Sequence, residues 1–412
     1  MAPMSRRLGL GLAVALLALR GVAAPAAPPS KVVTIGDLGS KVGVLEGYGT
    51  HQTMGITLAV EEINARGGVL GHTIRILSED DDTRPAVAIR KAEKLIRQDG
   101  VKLLIGAVSS DATMAVMDVT RKHRTIHWNS VACAEFMRTT KFHKYYFSNE
   151  PDARMQANGL ARSLFDTMDR KAYILYLDYA MGQVGVSDGR QFKRAFETVG
   201  GEVVGAAGVP ANTGDFRPWF GAIERSGAEV LFLAFAGTDS LRLMTQLHAA
   251  GLTRRFRLAG IDCFLLPQHL PAIAEPMEGF VQLSHISADD PDPHAAAFTA
   301  KFRRRWGVAP NLAAAAYEAV YFWKAAVERA GSFDADAVAA AHEGLCLDTT
   351  HTGRQCIRPA DHQVVMDLGL YRVEKGKTLP IGRISGADAI GEPLVGRNPL
   401  AGFTWDIKKK SR

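Results

Sequence analysis

An α/β fold of two lobes, each a parallel sheet covered by helices, is what this sequence predicts. Three observations point to it. Apolar runs of strand length alternate with amphipathic segments of helix length from residue 31 to about residue 284, the pattern of consecutive βα units buried on both sheet faces. The stretch Leu58–Ile96, LAVEEINARGGVLGHTIRILSEDDDTRPAVAIRKAEKLI, contains one full unit with its punctuation: Gly67 and Gly68 to stop a helix, Pro85 to start the next. The length, 412 residues, exceeds what one core commonly holds, since domains run roughly 100–200 residues.

The elements follow in order. Met1 to about Ala27 has Arg6 and Arg7, the apolar run Leu8–Leu19 and the small residues Val22–Ala27. It reads as a secretory signal peptide, too short to span a bilayer. Lys31–Gly39 is a buried strand, and the glycine-rich segment to Thr50 reads as a flexible cleft edge. The helix through Ile56, Leu58, Ala59 and Ile63 leads to a strand at Thr73–Ser78. The acidic run Glu79–Asp82 is expected to leave the sheet as a solvated loop. Val101–Ile105 and Ile126–Ser130 are further strands, and Tyr145–Asn149 a crossing between lobes. The second series pairs helix Ala153–Met168 with strand Ala172–Asp178, helix Ser187–Val199 with Glu202–Ala206, Pro218–Ser226 with Ala228–Ala234, and Ser240–Ala250 with Arg257–Gly260. Gly279–Ser284 returns the chain to the first lobe, where helices Ala295–Trp306, Leu312–Ala330 and Ala335–Glu343 belong. Asp361–Lys377 finishes as a hairpin turning at Glu374-Lys375-Gly376, and from Leu379 on no periodicity remains.

Several chemistries are excluded by missing context. Gly185-Val186-Ser187-Asp188-Gly189 matches the GxSxG nucleophile elbow, but that serine must sit on the turn directly after a strand. Here the strand ends near Asp178, so Ser187 reads as a helix cap. Asp80, Asp81 and Asp82 lack the closing glutamate of a calcium loop. Gly47-Tyr48-Gly49 is followed by Gln52, leaving the GxGxxG fingerprint incomplete. The twelve histidines form no HExxH, and the four cysteines no CxxC. No metal or cofactor is expected. Setting aside Arg6, Arg7 and Arg20 halves the formal charge of +6, too little for a nucleic-acid face.

LAVEEINARGGVLG, DDTRPAVAIRKAEKLI and GVKLLIGAVSSDAT together resemble the first lobe of the leucine/isoleucine/valine-binding protein family, type I periplasmic solute receptors of ABC transporters; weaker similarity continues to about residue 380. The resemblance implies a periplasmic, non-enzymatic monomer that closes on a small solute and docks on an inner-membrane permease. A periplasmic sensor of the same fold is the alternative, and an α/β hydrolase the third. The lobes are expected at residues 28–147 plus 284–362 and 148–283 plus 363–380. Three crossings near Phe147, Leu283 and His362 form the hinge, and residues 381–412 form an extended tail.

Open α/β sheets bind ligands beyond strand C-termini. IGAVSSDAT puts Ser109 and Ser110 after a strand and at a helix start, where hydroxyls and free N–H groups make an anion site. By resemblance Val108, Ser109 and Ser110 hold a carboxylate. Ala132 and Cys133 stand where the family has a small residue and a threonine. In LDYAMGQ, Met181 takes the place of a tyrosine, with Tyr179 two residues away. Phe235 corresponds to an aromatic position, and Asp262 to a glutamate that contacts an amino group. An anion site facing an acidic, partly aromatic wall suits a zwitterion. In an oxidising compartment Cys346 and Cys356 close a short loop and are expected to pair. Cys133 and Cys263, on opposite cleft walls, are expected to stay reduced.

Overall fold

The computed structural model of the chain describes residues 31–167, 170–178 and 184–398. The first lobe runs β1 (Lys31–Gly39), α1 (Glu46–Ala65), β2 (His72–Asp80), α2 (Pro85–Glu93), β3 (Leu103–Gly106), α3 (Ser110–His123), β4 (Ile126–Asn129) and β5 (Tyr146–Ser148). Its sheet is entirely parallel, ordered β2-β1-β3-β4-β5. The second lobe follows as α4 (Ala153–Asp166), β6 (Lys171–Asp178), α5 (Val184–Thr198), β7 (Glu202–Pro210), α6 (Arg217–Arg225), β8 (Val230–Ala234), α7 (Thr238–Ala249), β9 (Arg257–Gly260), α8 (Leu270–Ile273) and β10 (Val281–Ser284). The chain then returns through α9 (Pro293–Trp306), α10 (Ala316–Ala330) and α11 (Ala335–His342). A small antiparallel sheet comes next, of β11 (Cys346–Thr350), β12 (Gly353–Ile357) and β13 (Val364–Val365). The hairpin β14 (Leu368–Glu374) and β15 (Lys377–Ile384) joins β10 antiparallel, completing the seven-stranded order β15-β14-β10-β9-β8-β6-β7, and α12 (Gly386–Ile390) ends the described fold.

Local chemistry explains these boundaries. In β1 every residue from Val33 to Gly39 is buried, as a strand covered on both faces requires. After α1, Gly68 has φ +76°, and a Cβ there would lie 2.0 Å from the His72 carbonyl oxygen; only glycine makes this turn. Asp152 caps α4 and Ser109 caps α3, each side chain accepting a hydrogen bond from a backbone N–H of the first turn. Trp128 stacks between Phe147 and Phe322 at the centre of the first lobe, with ring centroids 5.6 and 5.3 Å away. Phe192 and Phe232 stack at 3.8 Å in the second. Cys346 and Cys356 face each other across β11 and β12 and are joined by a disulfide; Cys133 and Cys263 are free and buried.

Four expectations are corrected. The segment Gly47–Gly49 is the first turn of α1, not a flexible edge; its backbone packs so closely that a Cβ on Gly49 would stand 1.9 Å from the Ser40 carbonyl oxygen. Of the acidic run, Glu79 and Asp80 continue β2 and Asp81 is fully buried, accepting from Ser40 Oγ and the Thr83 N–H at 2.8 Å each; Asp82 is the exposed member. Ser187 falls inside α5, which begins at Val184, so it does not precede the helix as a cap. Residues 381–390 are not an extended tail: β15 pairs along β14 to Ile384, and α12 is held by Arg154, which donates to the Ile390 and Glu392 carbonyls.

Candidate functional site

Both large sheets point their C-terminal ends at one cleft, and a cavity of about 460 Å³ lies there. From the first lobe it is lined by the segments after β1 (Val42–Leu45), β2 (Asp82–Pro85), β3 (Val108–Asp111) and β4 (Val131–Cys133), together with Tyr48. From the second it receives Ala211 and Asn212 after β7, Ala236 after β8 and Cys263 after β9. This is the crevice outside the strand carboxyl ends where open α/β sheets bind ligands.

The polar chemistry is concentrated at the start of α3. Ser109 is the N-cap, and its Oγ accepts from the Ala112 N–H at 3.2 Å. Ser110 Oγ accepts from the Ala134 N–H at 3.3 Å, which ties the loop after β4 to the helix start. The helix points its free N–H groups and the positive end of its dipole at the cavity margin, an arrangement that favours an anion. Asp111 also lines the cavity. Its Oδ1 is buried without a hydrogen-bond partner, and burial raises its pKa above the ordinary aspartate value. A carboxyl in that position gains from a ligand cation or hydrogen-bond donor.

Of the residues singled out in the sequence, Val108, Ser109, Ser110, Ala132 and Cys133 come together on the cavity wall. Tyr179 and Met181 lie outside the described residues. Two others are corrected. Phe235 turns into the second-lobe core and meets Phe216 edge to face at 6.0 Å, and Ala236 takes the cavity position. Asp262 stands behind the wall: its Oδ2 accepts from His285 Nδ1 at 3.0 Å, its backbone N–H donates to Gln156, and its neighbour Cys263 reaches the cavity instead. The acidic face expected from the second lobe is therefore turned inward. The Cys133 thiol is pushed well up in pKa by its hydrogen bond with Cys263, by burial, and by the acidic Asp188 beside it, so it is a small apolar contact and not a nucleophile.

Tyr48 and Asp111 were missed. Tyr48 fastens the lobes: its hydroxyl donates to the Cys263 carbonyl and accepts from the Gly237 N–H at 3.2 Å, both across the cleft. Close approach continues alongside, where a Cβ on Gly237 would stand 2.1 Å from the Val44 carbonyl oxygen. Gln191 Nε2 donates to Glu135 Oε1 at 2.8 Å on the other flank. The lobes are thus closed on each other. The tyrosine between two glycines was a visible signal for Tyr48. Asp111 was visible only as the residue after the serines.

Residues 32–378 match the model of a family described as periplasmic binding protein. The leucine-, isoleucine-, valine-, threonine-, and alanine-binding protein of Pseudomonas aeruginosa is 26% identical over 316 residues, 76% of this chain and 82% of that one. A Leu/Ile/Val-binding protein homolog of Brucella melitensis is 24% identical over 380 residues, 89% of each chain. Among solved structures, a periplasmic binding protein from Burkholderia mallei superposes with TM-score 0.79 at 22% identity, covering 87% of this chain and 96% of that one. An ABC-transporter solute-binding protein of R. palustris, in complex with benzoate, superposes with TM-score 0.78 at 21% identity, covering 86% and 96%.

Proposed function

The chain belongs to the periplasmic binding protein family, as a substrate-binding component of ABC transporters, and on that premise we propose that its solute is a small amino acid with an apolar side chain. One observation carries the reading: Ser109, Ser110 and Asp111 place an anion site and an unpartnered carboxyl on adjacent residues at the edge of an otherwise largely apolar cavity. A zwitterionic head group satisfies both. Its carboxylate takes the α3 N-terminus and its ammonium takes Asp111, while the side chain lies against Leu45, Tyr48, Val131 and Ala236. The amino acids named for the Pseudomonas relative support the same class. Charge-assisted hydrogen bonds contribute about 1.5–3 kcal/mol each, so two or three of them offset the entropy of binding, and burial of the solute's apolar side chain supplies the remaining affinity.

A second reading, an apolar carboxylic acid without an amino group, is favoured by Cys133 and by the burial that raises the Asp111 pKa above the ordinary aspartate value. Thermal-shift screening against amino acids and matched deaminated acids separates the two: stabilisation by the deaminated acids alone overturns the amino acid reading.

The remaining assignments extend the proposal. The signal peptide at residues 1–27 exports the chain, which works as a monomer and delivers its solute to a membrane permease. The lobes divide as residues 28–147 plus 284–362 and 148–283 plus 363–390, the second now including β15 and α12. They close by rotation about the three crossings. Scattering is expected to show a smaller radius of gyration with solute than without it; an unchanged radius at saturation counts against closure.

A further inference from the structure

Behind the cavity wall, where the chain crosses between lobes, lies a group of side chains that solute binding does not use. Glu150 sits between β5 and α4 on the first crossing, Asp262 follows β9, and His285 follows β10 on the second crossing. All three are at least 98% buried, and their candidate ligand atoms lie within 4.8 Å of one another. Among the described residues no other three histidine, cysteine, aspartate or glutamate side chains converge this closely.

The hydrogen bonding is incomplete in one direction only. His285 Nδ1 donates to Asp262 Oδ2 at 3.0 Å, which leaves Nε2 as the free lone-pair nitrogen. Nε2 has no hydrogen-bond partner, and neither has Glu150 Oε1 or Oε2. Nε2 and Oε2 face each other at 3.9 Å, too far for a hydrogen bond. It leaves room for one ion between the two atoms: zinc bonds imidazole nitrogen and carboxylate oxygen at about 2.0–2.2 Å each, so a tetrahedral pair stands about 3.4 Å apart, within about half an ångström of the separation here. Asp262 on Nδ1 completes the carboxylate–histidine pair that orients metal-bound imidazoles. Without a cation, Glu150 is buried beside Asp262, and burial, then the nearness of that second acidic group, pushes its carboxyl well above the ordinary glutamate range.

We propose that Glu150 and His285 Nε2 ligate a divalent transition-metal ion, zinc by donor type, with Asp262 as the adjoining carboxylate, and that this ion fastens two of the interlobe crossings together. A donor set of one imidazole nitrogen and one carboxylate suits zinc over calcium, which takes six to eight oxygens. Zinc's two remaining positions fall to water. The site is separate from the solute cavity, which none of its three residues lines.

The test uses the full exported protein, dialysed against a chelator and titrated with Zn²⁺ alone. Elemental analysis after gel filtration is expected to give one zinc per chain, and the thermal midpoint is expected to rise with Zn²⁺ concentration, since an ion bound only to the native state stabilises it. Glu150→Gln keeps the shape and is expected to weaken zinc binding by at least tenfold, with His285→Gln abolishing it. Asp262→Asn, acting through the imidazole, is expected to weaken it by about 10–100-fold. Should His285→Gln fail to fold, Glu150→Gln decides. No uptake by the folded parent overturns the proposal, as does parent-like uptake by Glu150→Gln; in either case protons alone hold this layer.

Discussion

The cavity wall and the layer directly behind it divide the chemistry of this molecule. In front, the second lobe offers Ala211, Asn212, Ala236 and Cys263, and the charged groups belong to two short stretches of the first lobe, Asp82 and Arg84 after β2 and Asp111 on α3. Behind, charge is dense and buried: Arg138 between Asp152 and Asp361, His285 between Asp262 and Glu150, and His351 on Glu318 at 2.8 Å. The lesson is that acidic residues at strand ends serve two separate ends here. Those turned inward fix the crossings; of the two that line the cavity, Asp82 pairs with Arg84 at 3.4 Å and Asp111 is available to the solute. Substitutions behind the wall are therefore expected to move stability, and substitutions in front to move affinity.

The largest expected effect breaks the rear layer. Arg138 is 3% exposed; it donates to Asp361 Oδ2 at 2.6 Å and also to Asp152, so it ties the first crossing to the third. Arg138→Ala takes the guanidinium from the buried Asp152, while Asp361 keeps its pair with Arg358, and removing one partner of a buried pair costs about 3–5 kcal/mol. Chemical denaturation is expected to show a loss of that size, with solute affinity of the folded fraction unchanged. A loss below about 1 kcal/mol, the size of a surface pair, would make the rear layer unimportant to the fold.

Acid probes the same contrast. His127 in β4 is buried, with Nε2 on the Gly106 carbonyl, and burial lowers its pKa to about 4. Its folded value lies below the ordinary 6.5, so the unfolded chain takes a proton that the native state refuses. Stability from this group is full above pH 6.5 and falls as pH drops toward 4, by about 3 kcal/mol. Glu150 and Asp188, whose pKa values burial raises, act with the opposite sign, so the informative quantity is a difference. The stability gap between parent and His127→Gln is expected to shrink by about 3 kcal/mol between pH 6.5 and pH 4. A constant gap would mean that His127 does not titrate there.

In front of the wall, Asp111→Asn is expected to reduce affinity for an amino acid by about 2 kcal/mol, as loss of a charged hydrogen bond does. Unfolding free energy is expected to change little, because the replaced oxygen has no protein partner. Calorimetry with an amino acid and its deaminated analogue reads this directly: equal losses for both ligands would remove Asp111 from ammonium recognition.

How far the sequence disclosed these regions depends on which force set each element. β1 and β9 were legible to the residue, because buried parallel strands are written as apolar runs ending in glycine. The first turn of α1 was not. Gly47 and Gly49 argue against helix by propensity, yet contact with Ser40 and with Leu266 across the cleft outweighs it. β15 was hidden for another reason: it is an edge strand held by backbone pairing to β14, with mostly exposed side chains that carry no apolar alternation. In the site, the ends of β8 and β9 were found correctly but side-chain direction was not, and β7, expected to stop at Ala206, runs on to Pro210. One residue separates Phe235 from Ala236, and one separates Asp262 from Cys263; in each pair the first points to the core and the second to the cavity. That choice is made by packing after the strand ends, where period-2 alternation no longer applies.

The smallest expected effect tests closure itself. Tyr48 belongs to the first lobe, and both partners of its hydroxyl, the Cys263 carbonyl and the Gly237 N–H, belong to the second. Tyr48→Phe keeps the ring against the cavity and deletes those bonds. A neutral hydrogen bond contributes about 0.5–1.5 kcal/mol, and the Cys263 carbonyl and Gly237 N–H can recover water when the lobes open. The penalty therefore falls on the closed state, so solute affinity is expected to drop by about 1 kcal/mol whether or not the solute carries an ammonium. The solute-free radius of gyration is expected to shift toward the open value, since closure loses a contact that opening never had. Unfolding of the solute-free protein is expected to be nearly unaffected. A loss confined to amino acids would instead place the hydroxyl in head-group recognition, and an unchanged affinity would assign closure to the Val44–Gly237 and Glu135–Gln191 contacts on either side of it.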